Sequence, residues 1–321
     1  MLTDEPPQRD RNDVMERWRK VRPSKELLAL AILTLLAVAV WQQALKPGVG
    51  EFEIVFLNVG QGDCAFVRTP GGHTMLIDGG SEGSGARDVG IRTIAPFLRR
   101  QGVNRIDVVV VSHPHEDHLA GLVAVVKEFR IGMVVDPAIP HGSRAYADFL
   151  KTVRDRRIPY RRAERGQTIA FRDGVRAEVL HPPAVRLSRT GDDANENSVV
   201  LRITCARTSI VFTGDAGRAA EKEILASGTR VRSNLLKVAH HGSNDATSDD
   251  WLDAVRPRIA VISVGRGNRY GHPSRKVLDR LESRGIRVCR TDRDGAVAIT
   301  QPVGGTLSVR TFGRASGRST K

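Results

Sequence analysis

From Glu51 onward the chain alternates between short apolar runs with strand character and longer stretches with helical spacing. No repeat or low-complexity tract interrupts that alternation. Phe52 to Asn58 alternates apolar and polar positions, which predicts a strand, and Met75 to Ile77 continues the sheet. Ile106 to Ser112 is an unbroken β-branched run, the pattern of a strand buried on both faces. Arg87 to Arg100 and Leu119 to Phe129 have helical spacing. Further strands are predicted over 175–180, 198–204, 208–213, 234–239, 258–263, 287–291 and 295–300, and helices over 217–226, 248–254 and 274–284. This order predicts one α/β domain over 51–312, about 260 residues, followed by a loose basic tail over 313–321.

The first 25 residues are polar, carry charges of both signs and end in a basic stretch that includes Arg17, Arg19, Lys20, Arg22 and Lys25. Leu27 to Trp41 is then apolar apart from Thr34, and no charge follows until Lys46. Nineteen uncharged residues at about 1.5 Å each are just long enough for a bilayer core of about 30 Å. The pattern predicts a basic cytoplasmic tail over 1–25, a transmembrane helix over 26–45 and a linker over 46–50. Basic residues ahead of the segment predict a single-pass protein of the cytoplasmic (inner) membrane with its domain translocated. A cleaved signal peptide is the competing reading.

Composition adds a formal charge of +14, from 50 Lys and Arg against 36 Asp and Glu. That excess favours polyanions such as nucleic acid or anionic lipid, or else forms a solvated basic surface. Cys64, Cys205 and Cys289 are far apart and sit in apolar runs, so buried free thiols are expected rather than a disulfide framework.

The candidate chemistry lies in Ser112-His113-Pro114-His115-Glu116-Asp117-His118. This segment follows a buried strand and opens a helix, so its polar side chains gather at the strand's carboxyl end. Imidazole and carboxylate are ligands for zinc, manganese and iron, and few other uses call for three imidazoles and a carboxylate within six residues. Three more apolar runs end in ligand-type residues: Thr74–Ile77 before Asp78, Ile210–Thr213 before Asp215, and Leu235–Ala239 before His240 and His241. Sites in open α/β sheets form beyond the carboxyl ends of strands, so these four ends can converge. His73, His141 and His181 lie beside Gly or Pro and are expected on the surface.

These motifs resemble the metallo-β-lactamase superfamily, whose hallmark is H-x-H-x-D-H. The implied fold is an αβ/βα sandwich, two mixed sheets flanked by helices. The series Asn58–Asp63, Leu76–Gly80, Ser112–His118, Asn195–Ser198, Thr213–Asp215, His240–Ser243 and Arg269–Pro273 is similar to the C-terminal hydrolase domain of ComEC-type DNA-uptake channel proteins. That family's multi-helix channel has no counterpart in this sequence. The resemblance implies one or two divalent metals, zinc or manganese. His113 and His115 would bind the first; Asp117, His118 and one of His240 and His241 would bind the second, with Asp215 bridging. Asp78 would orient a ligand histidine. The superfamily's third histidine is replaced by the Asn195–Ser198 segment, leaving Asn197, His272 or water to fill the gap. Gln61, Asp63 and Ser243 are the expected substrate contacts, with Gly60–Asp63 at the mouth of the site. Asp117 and His272 are the expected catalytic groups.

Three functions follow. One is a metal-dependent nuclease acting on DNA, alone or beside a separately encoded uptake channel. Another is a hydrolase of a different ester, thioester or lactam. The last is a metal-containing module that only grips DNA or a channel.

Overall fold

A computed structural model describes residues 24–44, 50–80 and 89–313 of the chain. It divides into two compact units, Met1–Pro47 and Gly48–Lys321. In the first, Lys25–Ala44 forms one helix, α1, with Leu27, Leu30 and Leu33 all at least 60% exposed. Among the described residues no helix is long and apolar enough to cross a membrane, so the span expected over 26–45 is not supported. Lys25 and Glu26 are charged, and residue 45 and the tails 1–23 and 314–321 lie outside the described residues.

The second unit holds two sheets. The larger runs in the order β15-β14-β1-β2-β3-β4-β5-β6, the smaller β13-β12-β11-β10-β9-β8-β7. Both are mixed. In the larger, β3 (Thr74–Ile77), β4 (Arg105–Val110), β5 (Arg130–Asp136) and β6 (Tyr160–Arg162) are parallel. There β1 (Glu51–Phe56) pairs antiparallel with β2 (Ala65–Arg68) and β14 (Val297–Pro302), and β15 (Ser308–Thr311) closes the edge. In the smaller, β10 (Thr208–Phe212), β11 (Leu235–Lys237), β12 (Ile259–Ile262) and β13 (Arg287–Arg290) are parallel. Ahead of them β7 (Thr168–Ala170), β8 (Arg176–His181) and β9 (Val200–Cys205) form an antiparallel meander.

Period-two alternation explains the layering. Phe52, Ile54 and Phe56 of β1 face Leu201, Ile203, Ile210 and Phe212 of the other sheet in one central core. The Phe56 and Phe212 rings meet at 5.8 Å across it. The opposite faces of both sheets are also buried. Val55, Leu76 and Val109 pack under Leu98, Leu122 and Phe149, while Val211, Leu236 and Ala260 pack under Ile224, Trp251 and Leu281. The result is the expected sandwich, with helices outside both sheets. All three cysteines are buried and free.

Candidate metal centre

Four strand ends deliver polar residues to one place. Strand β4 runs out through Ser112 into His113–His118, where His115 caps the short helix Glu116–Leu119. Strand β3 ends at Asp78, whose amide bonds the Val110 carbonyl at 2.9 Å. Strands β10 and β11 of the other sheet end at Asp215 and at His240-His241. The two sheets meet where His118 Nε2 lies 3.3 Å from His241 Nε2.

Three residues at these ends have strained backbone. Asp78, His240 and His241 are left-handed, with φ of 60°, 49° and 52°. Each costs on the order of 1–3 kcal/mol for a non-glycine residue, and such strain persists where function holds it. Glycines permit the close approaches. A Cβ on Gly62 would fall 2.0 Å from the Asp117 carbonyl, and one on Gly214 2.7 Å from Ser112 Cβ.

Two donor groups form. His113, Asp117 and His118 make one; Asp63, His118, Asp215 and His241 make the other, with donor atoms in each group within 4.8 Å of one another. Asp117 Oδ2 lies 3.1 Å from His241 Nε2, and Asp215 Oδ1 3.2 Å from His118 Nε2. Behind them, Asp78 Oδ2 stands 2.9 Å from His118 Nδ1, and the Ser263 carbonyl 2.9 Å from His241 Nδ1. Those outer contacts leave both Nε2 atoms facing inward.

Burial pulls the His241 imidazole down, but Asp215, Asp117 and Asp63 outweigh it and lift it to about 10. His118 moves the same way against its burial, under Asp215, Asp117, Asp63 and Asp78. Asp117 and Asp215 are held low despite burial, chiefly by His118. The buried site is therefore a pocket of negative potential that favours cations. His113 is the exception: burial keeps it neutral, the form a metal requires. The Nε2 of His113 is buried without a hydrogen-bond partner among the described residues. An unmet inward donor beside these two groups fits one or two divalent metal ions.

Several other sequence-predicted residues surround this centre, and His115, expected as a ligand, joins neither donor group. His115 and His240 stand at its rim, His240 Nε2 3.8 Å from Asp215 Oδ2. Together with Gln61, Asp117, Tyr270 and His272 they line a cleft of about 530 Å³. His141, expected on the surface, is exposed and lines the same cleft.

Some expectations need correction. Asp63 is not at the mouth: it is buried in the second donor group and ion-paired with Lys237. Asn197 fills no ligand gap, because its amide bonds Leu187 N and O and the Asp193 carbonyl, which pins the 187–193 loop. Ser243 does not line the cleft; it bonds Asp245, the partner of His240 Nδ1. His181 is fully buried between Glu223 and the Glu196 carbonyl. Lys237 was missed altogether. It is 2% exposed and donates to the Gly214 carbonyl at 3.0 Å. A lysine inside the apolar run Leu235–Ala239 was the available signal, since lysine is almost never buried unpaired.

A two-sheet α/β sandwich with His and Asp donors clustered at converging strand ends defines a metal-dependent hydrolase class. The chain belongs to the metallo-beta-lactamase superfamily, whose family model matches residues 57–266. Its curated relatives include ComEC-type competence proteins. It is 29% identical over 260 residues to ComE operon protein 3 of Bacillus subtilis (strain 168), covering 77% of this chain and 33% of that protein. It is 31% identical over 281 residues to competence protein ComA of Neisseria gonorrhoeae, covering 87% and 36%. The chain thus spans about a third of the length of these relatives. Among solved structures it is similar to Igni18, a metallo hydrolase of Ignicoccus hospitalis, with a TM-score of 0.47, 14% identity and coverage of 81% and 99%.

Proposed function

We propose that the protein is a metal-dependent phosphodiesterase acting on DNA. The observation that carries this reading is the pair of buried His/Asp donor groups opening onto a cleft with an aromatic mouth. Tyr270, 46% exposed, stacks on His272 with rings 5.7 Å apart and 13° from parallel. Such a platform suits a nucleobase, because every base offers a π-face.

His113, Asp117, His118, Asp215 and His241 would hold the metal, with Asp63 behind them. A bound divalent ion lowers the pKa of coordinated water from 15.7 toward about 7. Asp117, kept ionised, would accept a hydrogen bond from a water in the cleft and orient it. Burial, aided by His240 and His241, lowers the His272 imidazole and keeps it neutral at pH 7. Its Nδ1 is buried without a hydrogen-bond partner among the described residues.

The test incubates the metal-stripped full chain with single-stranded and plasmid DNA, with and without added Mn²⁺ or Zn²⁺, beside Asp117→Ala. Metal-dependent cleavage lost in the variant is expected. A folded, metal-loaded protein that leaves both DNAs intact would overturn the reading.

A further inference from the structure

The opposite end of the smaller sheet carries a second cleft, of about 550 Å³, lined by six arginines: Arg202, Arg207, Arg230, Arg232, Arg256 and Arg258. Its walls are the β9–β10 turn and the loops that enter β11 and β12. No carboxylate lines it, and the only apolar side chain in its lining is Ala206. Arg202 is buried and structural, bonding Glu178 and the Arg232 carbonyl. The other five are exposed. Among the described residues Arg207, Arg230, Arg232 and Arg258 have no carboxylate within ion-pair distance.

Exposed arginines elsewhere, such as Arg130 and Arg172, also lack an ion pair among the described residues, so what sets this cleft apart is that its arginines share one concavity. Arg99, Arg154, Arg275 and Arg284 each pair with a carboxylate at 3.2 Å or less. Gathering unpaired guanidiniums in one concavity raises mutual repulsion, which an anion relieves. Guanidinium forks match phosphate oxygens.

We propose that this cleft binds the sugar-phosphate backbone of a nucleic acid. Arginines spread over three loops suit several phosphates in succession better than one small anion. The lining offers no aromatic ring for a base, so recognition is of backbone and not of sequence. Beyond the small Ala206 it offers no apolar side chain to enter a bilayer, which disfavours a lipid surface. Strands β10, β11 and β12 run from this cleft to the metal centre. Arg207 and Asp215 are eight residues apart, at most about 26 Å at about 3.3 Å per residue. The cleft is thus distinct from the metal centre, and its role does not depend on what that centre hydrolyses.

The test is binding of a fluorescent 20-nucleotide deoxythymidine oligomer to the full chain across a KCl series. Every protein carries Asp117→Ala, so that turnover plays no part. Arg232→Ala with Arg258→Ala is compared with Arg130→Ala plus Arg172→Ala, an exposed pair elsewhere. Removing two phosphate contacts should lower the slope of log affinity against log salt by about 1.4 and weaken binding at low salt by at least tenfold. The control pair should change binding less than threefold, and Arg232→Lys with Arg258→Lys should keep the slope. Equal losses in both alanine pairs, or none in either, would overturn the proposal. So would arginine-dependent binding to anionic lipid vesicles by a protein that ignores the oligomer.

Discussion

The Asp78 carboxylate stands 2.9 Å from His118 Nδ1 while its other oxygen accepts the Ser112 amide at 2.7 Å. One side chain thus ties two sequence motifs together and fixes the histidine tautomer. A proton on Nδ1 leaves the Nε2 lone pair directed at the donor group.

Asp78→Asn keeps an oxygen for Ser112 but turns an amide N–H toward His118 Nδ1. The proton then moves to Nε2, where a ligand lone pair is needed. Metal affinity should fall about 10- to 100-fold with little change in fold. Competition against a chelating dye reads this directly; unchanged affinity would refute the orienting role.

Much of this was legible because the decisive residues end buried strands. Asp78, His118 and Asp215 each follow an apolar run, and parallel strands deliver such residues to one edge. What was not legible depends on neighbours from the other sheet. Asp63 reads as a turn residue until Lys237 and His241 close over it. His181 sits beside Pro182, a loop signal, yet Glu223 from a distant helix supplies its partner. The edge strand β6 is exposed at every position, so no alternation betrays it. The helix Arg144–Asp155 did leave signals, a Ser143 cap followed by Tyr146, Phe149 and Val153 at helical spacing.

The Gly60–Asp63 turn separates two costs of adding a side chain. Gly60 has φ of +82° but open space, whereas Gly62 has φ of +122° and would press a Cβ to 2.0 Å from the Asp117 carbonyl. Gly60→Ala should cost about 1–2 kcal/mol, the left-handed penalty alone. Gly62→Ala should cost roughly 3 kcal/mol or more and weaken metal binding, because Asp117 must move. Urea denaturation of both variants measures the contrast, and equal midpoints would argue against this packing.

Asn197 makes three hydrogen bonds to the 187–193 loop and none to the donor groups. Asn197→Ala strands those backbone groups, each unmet one costing about 1–3 kcal/mol if it stays buried. Thermal stability should drop clearly while metal stoichiometry stays at the wild-type value. Loss of a metal equivalent from a folded variant would restore Asn197 as a ligand.

Glu221 gives the protein a pH dependence outside the metal centre. It is 2% exposed and accepts from the Thr247 and Ser248 amides, and burial lifts its carboxyl to about 7. A folded pKa above the unfolded value of 4.5 means that the native state holds the proton more tightly. The resulting stability is present in full below pH 4.5 and is lost as pH rises through about 7. The loss is on the order of 3 kcal/mol, at about 1.4 kcal/mol per unit. Glu221→Gln cannot ionise, so its stability relative to the wild type should improve between those two pH values and level off above them. Changes in the two amide hydrogen bonds add a pH-independent offset and leave this slope untouched. Denaturation midpoints for both proteins from pH 4 to 8 supply the difference curve. A flat difference across that range would show that Glu221 titrates alike in the folded and unfolded chain.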